Sequence, residues 1–358
     1  RSILTNGMTR RILLLPMKLS DYDFHLPEEL IAQDPVPRRD QSRLLVLDRS
    51  DGRIHHLHFS DIPTMIRPED VLVVNETRVF PARLFGVRSD TGGKVEVLLI
   101  KPAARGRWLA LGKPARALQV GRTLAFGDGA LNAEVTARNK DGRIELAFDA
   151  EDVLSIVNEI GEIPLPPYIR RSPTVEDEGR YQTVFARQQG AIAAPTAGLH
   201  FTDVLMQDIK RAGTGIQPIL LHVGPGTFEP VRSEDPRLHR IEAEYYEVAS
   251  SAAGEINKRR KAGGRAIAVG TTSVRALETA VDERGTVRDL SGWTEAFIYP
   301  PYEFGAVDVL VTNFHLPQST LLMLVAAFAG YDNMMYAYAE AVREKYRFYS
   351  YGDAMMVL

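Results

Sequence analysis

Cysteine is absent from all 358 residues. That absence excludes disulfides, thiolate nucleophiles, thiolate zinc sites and iron–sulfur clusters, and it accords with a reducing cytoplasm. Charge of one sign is not in excess either: 43 Lys and Arg face 46 Asp and Glu, a formal net charge of −3. No global positive field marks a polyanionic partner, so any nucleic-acid contact has to be local. Long apolar runs are missing too. The longest near the end, residues 321–329, falls far short of the roughly 20 residues a membrane helix needs, and Asp332 follows it. It reads as a buried helix. At the start, Arg10 and Arg11 precede only the apolar residues 12–15 before Pro16, fewer than the ~7–15 of a secretory signal. Export is not expected, and residues 1–16 read as an extension outside the fold.

What is present describes a globular enzyme-sized chain. With 45% hydrophobic and 25% charged residues it folds on its own, and its length suggests two or three domains. Residues 80–158 carry short alternating runs at 94–101, 107–111, 123–126, 131–137 and 143–148, separated by Gly92-Gly93, Gly127-Asp128-Gly129 and Asp141-Gly142. Tight hairpins need such positive-φ residues, and the spacing predicts an inserted small antiparallel β-barrel. On either side, residues 17–79 and 159–358 alternate strand and helix, with the Pro-rich stretch 163–168 marking the return. The runs 71–74, 216–222, 266–269 and 307–311 are rich in Val, Ile and Leu, as strands buried on both faces of a largely parallel sheet are. The expected fold class is α/β, a barrel-like α/β main domain carrying the antiparallel β-barrel. Helix starts are expected at Thr202, Ser273 and Ser319, with Thr202 and Ser273 as caps.

Four stretches share one layout, an apolar run followed by Gly or Pro and then reactive polar groups. They hold Thr196 and His200; His222, Gly226 and Thr227; Thr271, Thr272, Ser273 and Arg275; and Asn313 and His315. In α/β sheets ligands bind at the carboxyl ends of strands, so these become candidates for one shared pocket. Gly270-Thr271-Thr272-Ser273-Val274-Arg275 resembles an anion cradle at a helix start, although taken alone an ordinary Ser-capped helix is the simpler reading. Gly224-Pro225-Gly226 is either a rigid turn or part of a site. His200, His222 and His315 suit acid–base work, a dispersed three-histidine metal site, or structural hydrogen bonds. His55, His56 and His58 look like a polar strand edge. Basic clusters at Arg38-Arg39-Arg43, Arg78 and Arg83, and Arg170-Arg171 with Arg180, together with Tyr168 and Tyr181, match solvated faces or an RNA contact of no recognised motif. The aromatic and Met residues of 334–351 read as a closing helix packed on the core.

Several longer words remain: Val74-Asn75-Glu76-Thr77-Arg78-Val79, Gly161-Glu162-Ile163-Pro164-Leu165-Pro166-Pro167-Tyr168-Ile169, Tyr181-Gln182-Thr183-Val184-Phe185-Ala186, Ala194-Pro195-Thr196-Ala197-Gly198-Leu199-His200-Phe201-Thr202 and Asn313-Phe314-His315-Leu316-Pro317. From about Met17 to Leu358 the chain resembles the S-adenosylmethionine:tRNA ribosyltransferase-isomerases of queuosine biosynthesis, the QueA family. The resemblance implies a cytoplasmic tRNA-modifying enzyme with S-adenosylmethionine as cosubstrate. Its ribosyl part would pass to a 7-aminomethyl-7-deazaguanine base in tRNA, giving epoxyqueuosine and releasing adenine and methionine. No metal, membrane or obligate protein partner is expected. The sulfonium acidifies the neighbouring ribose carbon, adenine departs with a proton, and the attacking amine must be neutral, so several proton transfers need groups. On that chemistry His200 and His222 are expected to share them, with His315 or Glu295 assisting. Thr196, Gly226, Thr227, Thr271, Thr272, Ser273 and Arg275 are expected around the cosubstrate, with the Thr271–Arg275 cluster on its carboxylate. Asn75, Arg78, Tyr168 and Arg171 are expected to meet tRNA or the modified base. A metal-dependent hydrolase, a pure RNA-binding module and a methyltransferase are the rival classes.

Overall fold

A computed structural model describes residues 18–228, 231 and 233–358, without the side chains of residues 227 and 228. The expected extension at 1–16 and the side chain of Thr227 lie outside the described residues. In chain order the first strands are β1 (Arg43–Leu47), β2 (Ile54–His58), β3 (Val71–Asn75) and β4 (Thr77–Val79). Then β5 (Arg83–Arg88), β6 (Lys94–Ala104), β7 (Arg107–Lys113), β8 (Thr123–Phe126), β9 (Leu131–Arg138) and β10 (Ile144–Phe148) close into an antiparallel barrel. The return runs through α1 (Val153–Ile160), α2 (Val175–Arg180), β11 (Gln188–Ala191), α3 (Asp203–Arg211), β12 (Gly215–Leu221), β13 (Glu244–Val248) and α4 (Ser250–Lys261). It finishes with β14 (Ala266–Val269), α5 (Thr271–Ala280), β15 (Leu290–Thr294), β16 (Val309–Asn313), α6 (Thr320–Ala329), α7 (Tyr331–Arg343) and β17 (Ala354–Val357).

The expected inserted barrel and α/β frame are both there. Gly92, Gly127, Gly129 and Gly142 take positive φ at the hairpins. The barrel strand that sequence periodicity missed is β5, whose outward positions hold the apolar Phe85 and Val87, so its inside–outside alternation leaves no apolar–polar pattern. The barrel has its own core, which also draws on Phe80 and on Val153 and Val157 of α1. We propose 80–158 as the extent of the inserted unit, with 17–79 and 159–358 forming the domain around it.

The larger sheet runs β15-β13-β12-β3-β14-β16-β17-β1-β2. Its centre is the four strands expected from their apolar runs: β12, β3, β14 and β16 lie side by side and parallel. Outside this block β13 and β15, and the β16–β17 and β1–β2 pairs, are antiparallel, so the sheet is more mixed than the sequence predicts. Every residue of β3, β14 and β16 is buried, because helices cover both faces. The pleat sorts them. Val71, Val73, Ala266, Ala268 and Leu310 face the core shared with α4 to α7. Leu72, Val74, Ile267, Val269, Val309 and Val311 face the core under α3.

Thr202 caps α3 by accepting from Leu205 N, and Ser319 caps α6 by accepting from Leu322 N. Ser273 does not cap its helix. Gly270, at φ 87°, precedes α5, and the Ser273 hydroxyl reaches back to Val269 O at 2.7 Å. The stretch 334–351 is only partly helical: α7 ends at Arg343, and Tyr346, Phe348, Tyr349 and Tyr351 are buried beyond it. His55, His56 and His58 do lie on the edge strand β2, where His56 bonds Tyr346.

Asn75 ends β3. It is 0% exposed, and its amide donates to Leu221 O at 2.9 Å while its carbonyl accepts from Leu221 N at 3.0 Å and Thr77 N at 3.1 Å. The β3–β12 register stops at Asn75 opposite Ile219, so this side chain completes the ladder for Leu221. The tRNA contact expected of Asn75 is therefore corrected, since its polar atoms are spent inside the sheet. Asn75→Ala leaves three buried backbone groups unpaired at about 1 kcal/mol or more each, and should cost roughly 3 kcal/mol of unfolding free energy by urea titration. A loss below about 1 kcal/mol would contradict the bridging role.

Candidate functional site

Beyond the carboxyl ends of β14 and β16 lies a cavity of about 490 Å³. Its walls include Ala193 to Ala197 with Thr196, then Gly270, Thr271 and Thr272, and the run from Thr312 to Leu321 that contains Asn313 and His315. Tyr168 and Tyr349 add an aromatic wall, their rings stacked with centroids 4.4 Å apart and 23° between planes. The Tyr168 hydroxyl is 2.5 Å from Ser350 Oγ. Three buried polar atoms of lining residues have no hydrogen-bond partner among the described residues: Thr272 Oγ1, Asn313 Oδ1 and the Tyr349 hydroxyl. Unpaired buried groups are costly, so three on one cavity point to a polar ligand with an aromatic or apolar body.

The three candidate histidines occupy three settings. His315 lines this cavity; its Nε2 lies 2.7 Å from Thr312 Oγ1, and its backbone N–H donates to the Tyr338 hydroxyl at 3.0 Å. Burial lowers its pKa to about 3, so the ring is neutral at physiological pH. His200 does not line it. At 4% exposure it stacks on Phe59, with Nδ1 2.7 Å from Ser42 Oγ and Nε2 3.2 Å from Asn313 Nδ2. An amide nitrogen only donates, so Nε2 accepts and Nδ1 carries the proton. The chain then runs from Nδ1–H to Ser42 Oγ, and from the Ser42 hydroxyl to Arg39 O. Burial, aided by the Arg39 and Arg347 charges, lowers the His200 pKa to about 3. His200 is a saturated neutral ring that holds Asn313, and its expected share in proton transfer is withdrawn on that geometry.

His222 lines a second cavity of about 270 Å³ between the barrel and β13, with Phe80, Lys101, Trp108, Glu242, Glu244, Tyr245 and Trp293 among its walls. Its Nδ1 is 2.8 Å from Thr77 Oγ1, and burial lowers its pKa. Gly190 lies against the ring: a Cβ there would meet Nε2 at 2.6 Å. The four strand-end motifs therefore open onto two cavities rather than one, and Val223 lines both.

Other expected residues are placed elsewhere. Arg275 pairs with the buried Glu244 and donates to Ala296 O at 2.9 Å. With Gly226 it lines only a crevice of about 10 Å³, and Ser273 is wholly buried, so of the expected anion cradle Gly270, Thr271 and Thr272 reach the large cavity. Glu244, the carboxylate that claims Arg275, carried no sequence signal because it lies on a different strand. Glu295 is exposed and lines none of these cavities. Arg171 is held by Asp177 at 2.6 and 2.9 Å and by Asp34 at 2.8 Å, a structural clamp rather than a free phosphate contact. Arg78 is exposed, paired in register with Gln189 of β11 at the second cavity. Tyr349, missed by sequence, is brought to Tyr168 only by the fold.

A model of the family described as queuosine biosynthesis protein matches residues 19–357. The chain belongs to this family. The S-adenosylmethionine:tRNA ribosyltransferase-isomerase of Symbiobacterium thermophilum is 54% identical over 343 residues, covering 96% of this chain and 100% of that protein. The crystal structure of S-adenosylmethionine tRNA ribosyltransferase from Thermotoga maritima matches with a TM-score of 0.54 and 39% identity, covering 95% of this chain and 100% of that one. Among the described residues of this queuosine biosynthesis protein, no group of three or more His, Asp or Glu is placed to hold a metal ion, and the three-histidine metal reading is dropped because the rings lie apart.

The two buried neutral histidines give a pH signature. With folded pKa values near 3 against 6.5, the unfolded chain binds more protons between those limits. Stability is therefore full above pH 6.5 and falls as pH drops toward 3, each ring contributing a slope of about 1.4 kcal/mol per pH unit. His200→Gln should remove one such contribution from the pH dependence of unfolding free energy measured between about pH 4 and 6; an unchanged slope would show that His200 titrates freely.

Proposed function

We propose that the chain transfers and isomerises the ribosyl part of S-adenosylmethionine onto the aminomethyl group of a 7-aminomethyl-7-deazaguanine base in tRNA, giving epoxyqueuosine with release of adenine and methionine. Family membership supports the reaction. The observation that supports its location is the large cavity at the ends of β14 and β16, with its tyrosine pair and three unpartnered polar atoms. A nucleoside cosubstrate has the matching chemistry: a flat base for the aromatic wall, ribose hydroxyls for buried polar atoms, and a carboxylate for the α5 start at Thr271 and Thr272.

His315 is the histidine available at the reacting ribose, because it lines this cavity and burial keeps it neutral. Its Nδ1 makes no hydrogen bond among the described residues. An acid–base group in that position can take the proton beside the sulfonium or give one to departing adenine. Asn313, held by His200, and Thr196 position the nucleoside, while His222 serves the acceptor side from the second cavity. tRNA modification places the protein in the cytoplasm in this reading; among the described residues no helix is long and apolar enough to cross a membrane.

The deciding assay incubates the protein with labelled S-adenosylmethionine and tRNA bearing the aminomethyl deazaguanine. Adenine and methionine should accumulate together. S-adenosylhomocysteine instead would mark a methyltransferase, tRNA binding without turnover an RNA-binding module, and loss on chelation a metal enzyme. His315→Gln should lower kcat by about 10²-fold or more and leave the S-adenosylmethionine Kd within about twofold, while near-normal turnover would remove His315 from the chemistry.

A further inference from the structure

The second cavity has features that the cosubstrate site leaves unused. Its walls come from both folding units: Ile100, Lys101 and Trp108 from the barrel strands, Tyr245 and Trp293 from the main sheet. Trp293 stands at the rim, 58% exposed, edge-on to Tyr245 with centroids 5.9 Å apart, and Lys101 Nζ lies 4.7 Å from its ring centre. A large aromatic left half in solvent beside a cavity is unusual for a packing residue, and it is the surface on which an unstacked nucleic-acid base is held. At about 270 Å³ the space suits a single base, whereas the neighbouring cavity of about 490 Å³ suits a whole nucleoside.

The polar groups are complementary to a guanine-type base bearing an amine. Glu242 receives a two-pronged contact from Arg143, with Lys101 at 3.9 Å, which uses part of its acceptor capacity and leaves lone pairs for an amine. Glu244 is committed to Gly224 N and Arg275. Thr77 Oγ1 is buried and has His222 Nδ1 as its hydrogen-bond partner; because a buried hydroxyl proton needs an acceptor, we assign Nδ1 as that acceptor, which puts the proton of the neutral imidazole on Nε2. That nitrogen has no protein partner among the described residues and can donate to a ring carbonyl of the base. Val223 lines both cavities, and residues 189–190 line one while 193–197 line the other, so one stretch of chain passes from base site to nucleoside site.

We infer that this second cavity is the subsite for the acceptor base of tRNA, flipped out of its stack, with Trp293 as the stacking surface, Glu242 meeting the aminomethyl group and His222 the carbonyl. The assignment rests on the transferase reading and names where its second substrate sits. Arg78, exposed beside Gln189, lies where the flanking phosphates of the flipped nucleotide would pass.

The chain has two tryptophans, Trp108 and Trp293, and both line this cavity, so its intrinsic fluorescence reports on the site. Titration of the wild-type protein with free 7-aminomethyl-7-deazaguanine should quench tryptophan emission, and 7-deazaguanine lacking the aminomethyl group should bind about tenfold more weakly. Glu242→Gln should erase that preference. Trp293→Ala should raise the KM for modified tRNA about tenfold or more while the S-adenosylmethionine Kd stays unchanged. If the wild type releases adenine and methionine, yet the free base leaves fluorescence unaltered and Trp293→Ala leaves the KM alone, the subsite is overturned and the transferase reading stands. If Glu242→Gln keeps the amine preference, the amine lies elsewhere and the assignment of Glu242 falls. If the wild type releases no adenine from S-adenosylmethionine with modified tRNA, the transferase reading falls and takes this subsite with it.

Discussion

Four parallel strands, β12, β3, β14 and β16, end together in the interior, and every backbone group freed by that ending has to find a partner without water. Side chains from distant parts of the chain supply those partners. Asn75 completes the ladder of Leu221, and Asn313 donates to Tyr349 O. These same bonds shape the site. Asn313 fixes the backbone of Tyr349, whose ring then stacks on Tyr168 to wall the large cavity. A sheet end that had to be sealed has become a cavity lined with oriented polar groups.

Burial decides the electrostatics of that end. Arg275 and Glu244 are both nearly inaccessible, and each is tolerable only because of the other. Nη2 of Arg275 is buried without a partner among the described residues, but Arg275 opens only on a crevice of about 10 Å³, which leaves the helix start at Thr271 and Thr272 as the anion-compatible element of the large cavity. His200 and His315 sit in the same dry interior and are held neutral, yet they differ in availability. His200 has both nitrogens bonded and serves Asn313, whereas His315 keeps one nitrogen unbonded at a cavity wall. Equal depression of two pKa values therefore does not mean equal availability; the bonding of the second nitrogen separates a fully bonded ring from one with a nitrogen left over.

Periodicity made much of the fold legible. The Val- and Ile-rich runs named the parallel strands, because burial on both faces removes the alternation that marks half-exposed strands. Glycines at hairpins named the barrel, and Thr202 and Ser319 named two helix starts. Strand order was not legible. A polar residue at a strand end is recognisable from sequence, but which cavity it enters depends on its neighbours in the sheet. His222, at the end of β12, faces β13 and the barrel, while His315, after β16, faces α6 and α7. The partners Glu244 for Arg275, Asp177 for Arg171 and Tyr349 for Tyr168 belong to other elements, so no local pattern could reveal that two of those arginines were already paired.

The division into two cavities has a physical consequence for a two-substrate reaction. A single large pocket would let either substrate occupy the whole space, and discrimination would rest on differences in contact alone. Here Ile192 N donates to Val223 O at 3.0 Å, so the strand passing between the cavities is tied by backbone to the loop that lines both. A backbone tie cannot swing aside as a rotamer can, and it keeps the two spaces distinct while leaving only the Val223 side chain common to them. His222 is fixed on the second-cavity side of that seam by Thr77 and by close contact with Gly190, where any side chain would displace the ring. His315 is fixed on the large-cavity side by Thr312 and by the Tyr338 bond to its backbone. For the reaction proposed above, two rings fixed in advance on opposite sides of that seam would hold their geometry before either substrate arrives, which is how a rigid sheet end lowers the entropic cost of bringing reacting partners together.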